Sequence, residues 1–170
     1  FADPEGNILE VGEAGELEVR GISITRGYWE KPEANAKTYH DGWLCTGDIA
    51  QFDEDKYLHI TGRIKEIVIR GGENIYPGEI EGVAYQLDNV QENVVFGIPD
   101  EAMGEEMVMV AYAGASRSLE ESELRAYLKQ KLAGYKVPKH IVVRDEPLPQ
   151  NASGKLHKLL LQTQYVESMG

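Results

Sequence analysis

The sequence has one cysteine, no long apolar run and no cluster of basic residues, and each absence excludes a class of protein. Cys45 by itself cannot form an internal disulfide, which indicates a reducing, cytoplasmic compartment. No run of about 18 apolar residues occurs, so we predict no transmembrane segment. The net charge of −12 argues against a nucleic-acid surface, which needs clustered lysine and arginine.

The sequence also has no pattern of metal ligands. Its four histidines are scattered without the spacing of a metal site: His40, His59, His140 and His157. The acidic turn at residues 53–55 lacks the twelve-residue pattern and closing Glu of a calcium loop. We therefore predict no metal site in this chain.

The two parts of the sequence differ in charge, and its first residues resemble the interior of a longer chain. There is no basic head followed by an apolar stretch, which predicts no signal peptide. There is also no initiator Met, so we expect the chain to be part of a larger protein. Residues 1–62 have 5 basic and 13 acidic side chains, whereas residues 63–170 have 12 and 16. An anion-binding site is therefore expected in the second part.

Hydrophobic patterns predict a β-rich first part and a mixed second part. Up to residue 62, short segments that alternate with period two predict antiparallel strands. From residue 63 onward, the order β-β-α-β-β-α-β-α predicts a small α+β domain with a three-stranded sheet and packed helices. One of its buried strands is expected at residues 107–113, after a polar loop at residues 101–106.

Three helices are predicted in the second part. Pro77 opens the first, whose apolar residues recur with helical spacing. Ser118 to Glu121 have the pattern of a capping box and are expected to begin the second helix. The last helix is expected to begin directly after Gly154.

Asp48 and Arg63 are candidates for binding a sugar. Asp48 follows Thr46-Gly47 at a predicted strand end, where its carboxylate is able to accept two hydrogen bonds. Vicinal ribose hydroxyls are natural donors to such a group. Arg63 comes one hairpin later, and its fork of donors can reach the same ligand. Each residue, considered alone, also fits a surface charge or a local cap.

Two further features suit an anionic ligand that the backbone approaches closely. Lys155 follows Gly154 at a predicted helix start, where the dipole and free N–H groups favour a carboxylate or phosphate. Gly71 and Gly72 separate two short strands and allow positive φ and close approach to a ligand. A solvated lysine and a simple hairpin turn are the alternatives.

Six motifs occur together in one order along the chain. They are Gly15-Glu16-Leu17, Gly27-Tyr28-Trp29, Gly42-Trp43-Leu44-x-Thr46-Gly47-Asp48, Gly62-Arg63, Gly71-Gly72-Glu73-Asn74-Ile75-x-Pro77 and Ser153-Gly154-Lys155. This set resembles the C-terminal third of AMP-forming acyl-CoA synthetases, members of the adenylate-forming ligase superfamily. The resemblance covers nearly the whole chain.

The resemblance implies an activity and a domain organisation. In that family, ATP converts a carboxylic acid to an acyl-adenylate, and CoA then takes the acyl group. Residues 1–62 would be the C-terminal β-rich end of the large AMP-binding domain. Residues 63–170 would be the mobile C-terminal lid domain. The isolated chain is expected to be inactive, since the acid pocket and the phosphate loop belong to the missing N-terminal part.

The resemblance also implies roles in the adenylation step and in the movement of the lid. It assigns Asp48 and Arg63 to the ribose hydroxyls of ATP or AMP. It makes Lys155 the catalytic residue, at the acyl carboxylate and the α-phosphate. Lys65 would be the hinge, at a position where Asp is common.

Further roles concern CoA and the other ligands. Gly71 and Gly72 would line the tunnel for the pantetheine arm, Tyr135 would stack on the CoA adenine, and Lys139 would hold CoA phosphates. ATP, CoA and Mg²⁺ are the expected ligands, with Mg²⁺ bound mainly by the missing N-terminal domain. The expected substrate is a carboxylic acid, with a fatty acid as the first choice.

Two alternatives remain open. One is an adenylation domain that delivers an acyl or aminoacyl group to a carrier protein. Its relatives usually read Glu-Leu-Gly-Glu-Ile-Glu where this chain has Tyr76-Pro77-Gly78-Glu79-Ile80-Glu81. The other is a non-catalytic relic, against which the presence of Asp48, Arg63 and Lys155 together argues.

Overall fold

A computed structural model describes residues 9–115 and 117–169. The chain divides into two compact units between Lys65 and Glu66, close to the boundary predicted after residue 62. The first eight residues of the predicted first segment lie outside the described residues. Within the described ranges, no helix is both long and apolar enough to cross a membrane.

The first unit is an antiparallel sheet with one short helix. Its elements are β1 (Gly15–Val19), α1 (Pro32–Thr38), β2 (Tyr39–His40), β3 (Trp43–Phe52) and β4 (Leu58–Arg63). The long strand β3 is central, because β1, β2 and β4 all pair with it. Asp41 and Gly42, both at positive φ, make the tight turn between β2 and β3.

The second unit is a mixed sheet flanked by helices. Its strands are β5 (Val68–Arg70), β6 (Glu73–Ile75), β7 (Glu92–Asp100), β8 (Gly104–Tyr112) and β9 (His140–Arg144). Its helices are α2 (Pro77–Ala84), α3 (Glu121–Lys131) and α4 (Lys158–Met169). The α+β class is confirmed.

The sheet of the second unit has five strands rather than three. Strands β7, β8 and β9 form its main part, with β8 antiparallel to β7 and parallel to β9. The hairpin β5–β6 joins the same sheet through one residue pair, Arg70 with Gly104. The hairpin was predicted, but its pairing with β8 was not, because that contact is not local in sequence.

Two hydrophobic clusters cover the two faces of this sheet. Alternate residues of β8 point to opposite faces. Met107 and Met109 pack in a cluster with Leu128 of α3, and Val108 packs in the other with Leu161 of α4. Helices on both faces therefore fix the sheet, and with it the loops at its edges.

Two element boundaries differ from the prediction. Helix α3 begins at Glu121, and its N-cap Glu120 makes no capping hydrogen bond through its side chain. The capping box at Ser118 is therefore wrong, since Ser118 lies two residues before the N-cap and its carbonyl accepts from Asn89 Nδ2 at 2.9 Å. Strand β8 begins at Gly104, so part of the predicted polar loop belongs to the strand.

Candidate functional site

Asp48 and Arg63 face each other on adjacent strands of the first unit. They are directly paired in the β3–β4 register, and Arg63 Nε lies 2.8 Å from Asp48 Oδ1. The Asp48 side chain is 21% exposed and that of Arg63 is 61% exposed. The pair thus offers a half-buried acceptor beside an exposed donor with N–H groups to spare, which suits a vicinal diol.

A bulge in β3 presents the Asp48 carboxylate. Three residues of β3, 46–48, oppose Leu17 of β1, and Gly47 takes a φ of 75°. Side chains satisfy the backbone groups that the bulge leaves out of the ladder. Thr46 Oγ1 donates to Leu17 O at 2.8 Å and accepts from Asp48 N at 3.1 Å, while Gly47 N donates to Glu16 Oε1 at 3.0 Å.

This bulge corrects the predicted position of Asp48. The strand does not end at Asp48 but continues to Phe52. The prediction took Gly47 as a strand terminator, whereas its positive φ lets the extra residues be accommodated inside the strand. The Asp48 carboxylate therefore projects from the middle of a paired strand and not from a strand end.

Lys155 lies in a hydrogen-bonded loop before α4, not at a helix start as predicted. The side chain of Asn151 accepts from the backbone N–H groups of Ser153 and Lys155, each at 3.0 Å. In the same loop, Asn151 N donates to Lys155 O at 2.8 Å, and Gly154 takes a φ of 79°. The backbone of Lys155 is thus fixed while its side chain is exposed.

The late start of α4 has a local cause. His157 Nδ1 accepts from Leu160 N at 3.2 Å, which is the bond that an N-cap side chain makes to the third residue of a helix. The helix therefore begins at Lys158. Lys155 lies three residues before this helix. An anion bound by Lys155 would therefore be attracted by the charge of the lysine and not by the helix dipole.

Gly71 and Gly72 form the two-residue turn of the β5–β6 hairpin. Their φ values are 59° and 86°, and positive φ at both positions is typical of a type I′ turn. Gly71 N donates to Met103 O at 2.9 Å, and a Cβ on Gly71 would lie 2.7 Å from Met103 Cε. A Cβ on Gly72 would meet no atom within 4 Å. Gly71 therefore packs against Met103, whereas the side of the turn at Gly72 is open.

Tyr135 and Lys139 lie on the segment between α3 and β9. Tyr135 is exposed within a single 3-10 turn, Gly134–Lys136. Arg125 of α3 holds this segment, because it donates to the carbonyls of Pro138 and Lys139 at 2.8 and 3.0 Å. Lys139 Nζ lies 3.5 Å from Asp100 Oδ2, so this cation is already partly balanced by an acid.

Lys65 lies in a single 3-10 turn, Ile64–Glu66, between β4 and β5. It is exposed, and it is the last residue before the division between the two units. Glu66, the next residue, is held within the second unit, since Lys158 Nζ lies 2.6 Å from its Oε2. A change of backbone conformation at Lys65 would therefore leave the second unit intact.

Two carboxylates of β8, Glu105 and Glu106, were missed from the sequence. Glu106 is only 1% exposed and accepts from Arg70 Nε at 2.7 Å. Burial raises the pKa of the Glu106 carboxyl, but hydrogen bonds from Arg70 and from Met107 N–H, together with the positive charges of Arg70 and Lys139, outweigh this effect and hold the pKa below its ordinary value. The only signal in the sequence was two adjacent acids before a buried strand.

The described residues contain no cluster of metal ligands. Within residues 9–115 and 117–169, no group of three or more His, Cys, Asp or Glu side chains could hold a metal ion.

The fold matches that of the C-terminal part of adenylate-forming enzymes. Residues 79–155 match the family of AMP-binding enzyme C-terminal domains. The chain is 40% identical over 163 residues to an oxalate–CoA ligase of Arabidopsis thaliana, covering 96% of this chain and 32% of the relative. It is 42% identical to a long-chain-fatty-acid–CoA ligase of Yersinia pestis, covering 97% and 29%.

Solved structures agree with this assignment. ATP-bound MatB from Rhodopseudomonas palustris is 37% identical with a TM-score of 0.86, over 96% of this chain and 33% of that one. The amide bond synthetase McbA from Marinactinospora thermotolerans is 32% identical with a TM-score of 0.90, over 96% and 34%. The chain thus spans about a third of the length of the proteins it matches.

Proposed function

We propose that this chain supplies the ribose-binding edge and the mobile lid of a ligase that activates a carboxylic acid with ATP and transfers the acyl group to CoA. The observation that carries the proposal is the Asp48–Arg63 pair, in which a bulge presents a carboxylate 2.8 Å from a guanidinium. The first unit is suited to be the edge of a larger domain, since it leaves Ile22 and Trp29 exposed.

In the first half-reaction, a carboxylate oxygen of the acid attacks the α-phosphorus of ATP and pyrophosphate leaves. Asp48 accepts hydrogen bonds from the ribose hydroxyls, and Arg63 donates to them. Lys155 places a positive charge where the acid and the α-phosphate bring negative charges together. A charge held ready on a fixed loop stabilises the transition state without reorganisation at the moment of reaction.

In the second half-reaction, the CoA thiol attacks the acyl carbon and AMP leaves. We assign the pantetheine arm to the open side of the Gly71-Gly72 turn and the adenine to the face of Tyr135. Lys139 would bind a phosphate after exchanging its contact with Asp100. One lid serves both half-reactions if it rotates about Lys65.

The acid substrate and the acyl acceptor each have more than one candidate. The two relatives are named for very different acids, oxalate and long-chain fatty acids. Fatty acids are our first candidates, and the single Cys45 suits a cytoplasmic enzyme. An acyl acceptor other than CoA, such as the phosphopantetheinyl arm of a carrier protein, is the second candidate, because a neighbour of the same fold is named as an amide bond synthetase.

A pyrophosphate-exchange screen of the full-length protein tests the proposal. The acids are acetate, octanoate, palmitate, oxalate and ferulate. We expect ATP-dependent exchange with at least one of them, followed by thioester formation with CoA. Transfer to a carrier protein in place of CoA would establish the second candidate. Exchange with none of these acids, in a folded protein, would indicate a non-catalytic relic.

Replacing Asp48 by Asn should weaken ATP binding. A hydrogen bond to a charged group contributes about 1.5–3 kcal/mol, so we expect KM for ATP to rise by about 10- to 100-fold. Asp53→Asn is the matched control, because Asp53 also forms a pair in the first unit, where its Oδ2 lies 2.6 Å from Nε2 of His59 in β4. Initial rates at varied ATP measure the effect. An equal rise in both variants would contradict the ribose role.

A further inference from the structure

The β5–β6 hairpin, which carries the Gly71-Gly72 turn, has little backbone bonding to the rest of its sheet. It pairs with β8 only at Arg70 and Gly104, and Gly71 N adds a bond to Met103 O at 2.9 Å. A short hairpin on its own is marginally stable in water. Buried apolar residues at the far ends of β5 and β6 anchor the hairpin in the core, so the position of the turn depends on contacts nearer to it.

Side chains of β8 supply the missing bonds. Glu105 Oε2 accepts from the backbone N–H of Ile69 at 2.6 Å, and Glu106 Oε1 accepts from Arg70 Nε at 2.7 Å. Adjacent residues of a strand point to opposite faces of the sheet. The two carboxylates therefore hold β5 from both faces, at the two residues that directly precede Gly71.

We propose that Glu105 and Glu106 are positioning residues that fix the Gly71-Gly72 turn for the transfer of the acyl group to the thiol. This role rests on the function proposed for the whole ligase, and it concerns two residues that do not contact the acid, ATP or CoA. It predicts that both acids act on the second half-reaction and leave the first one nearly unaffected.

Glu106 cannot easily give up its partner. It is buried, and a buried carboxylate without a cation or hydrogen-bond donors is strongly disfavoured. Its other nearby cation, Lys139, is farther away, with Nζ 3.9 Å from Oε2. The Arg70 side chain is thus held at Glu106, and the residue next to Gly71 is held with it.

Glu105 reaches β5 through a space that a glycine provides. A Cβ on Gly97 of β7 would lie 2.9 Å from Glu105 Oε1, too close for a real contact. Gly97 has no positive φ that would explain a glycine at this position. The absence of a side chain at residue 97 leaves room for the carboxylate that accepts from Ile69 N–H, and also for Val68, whose Cγ atoms would lie 3.2 Å from this Cβ.

Kinetics of the two half-reactions in the full-length protein test the proposal. The variants are Glu106→Gln and Glu105→Gln, with CoA and dephospho-CoA as thiols and the best acid of the screen. A displacement of about 1 Å can cost about 10²-fold in rate, so we expect kcat/KM for CoA to fall by about 10- to 100-fold. The fall should be the same with dephospho-CoA, which has the same pantetheine arm. Pyrophosphate exchange should stay near the parent rate.

Glu81→Gln is the matched control. Its carboxylate likewise pairs with a cation, Lys158 at 3.0 Å, and accepts from a backbone N–H, that of Val95 at 2.7 Å. Glu81 lies on α2, so the Glu81→Gln variant should lose comparable stability while kcat/KM for CoA stays at the parent value. Hydrogen exchange gives a second readout, since the amides of Ile69 and Gly71 should exchange faster in the β8 variants alone.

The outcomes separate this inference from the function on which it rests. A parent protein that neither exchanges pyrophosphate nor forms a thioester would refute the proposed function. An active parent whose two β8 variants use CoA at the parent rate would refute the inference alone. A loss with CoA but not with dephospho-CoA would also refute it, because the effect would then run through a phosphate contact of Lys139. Should Glu106→Gln not fold, Glu105→Gln still decides.

Discussion

Lys155→Ala in the full-length protein should slow acyl-adenylate formation by about 10²–10³-fold, the usual loss for one preorganised charge contact. The loop of Asn151 holds the Lys155 backbone, so the substitution removes the charge without releasing the loop. Thioester formation from supplied acyl-adenylate should stay near the parent rate, because this step has no need of Lys155. Rapid-quench measurement of each half-reaction gives both rates.

The control for this experiment is Lys131→Ala. Lys131 is another exposed lysine of the second unit, in the last turn of α3. It should leave both half-reactions unchanged. If Lys155→Ala reduces both half-reactions equally, Lys155 supports the fold instead of the adenylation step. Asn151→Ala removes the side chain that holds the loop. Its rate of acyl-adenylate formation should lie between those of the parent and Lys155→Ala.

Lys65→Pro should produce the opposite pattern: acyl-adenylate still forms, but its transfer to CoA falls by at least about tenfold. Proline fixes φ near −65° and restricts Ile64 before it. That φ lies in the range of the 3-10 turn in which Lys65 lies, so residue 65 can keep its φ but loses its freedom to change it. A rotation concentrated at this residue is then blocked.

Lys65→Ala separates the backbone from the side chain. It removes the ammonium group but leaves φ and ψ free, so both half-reactions should stay close to the parent. Single-turnover assays that follow adenylate and thioester in the same sample compare the three proteins. Thioester formation by the proline variant at the parent rate would place the pivot at another residue.

Local patterns predicted much of this fold, and long-range contacts account for most of the errors. Helix α2 begins at Pro77 as predicted, because proline at the first position and helical spacing are both local signals. The place of Glu106 was missed because an acid usually predicts an exposed loop. Its partner Arg70 is 36 residues away, so no local pattern shows that the charge is balanced.

The candidate site shows the same division. The sequence suggested that Asp48 and Arg63 could reach one ligand, and the structure places them side by side. It did not suggest that Asp48 lies inside a strand, because a bulge is defined by pairing with β1. It placed Lys155 on a helix, because the competing bonds of Asn151 and His157 depend on the folded geometry of their side chains.

The bulge in β3 makes the length of this segment part of the candidate ribose site. Two residues more are present on β3 than on β1 between their flanking pairs. Deleting one residue there would shift the pairing by one and move Leu44 and Cys45 each to the other face of the sheet, whereas deleting two would restore a regular ladder. Single-residue insertions and deletions should therefore be excluded from this strand in functional homologues, even where point substitutions are accepted.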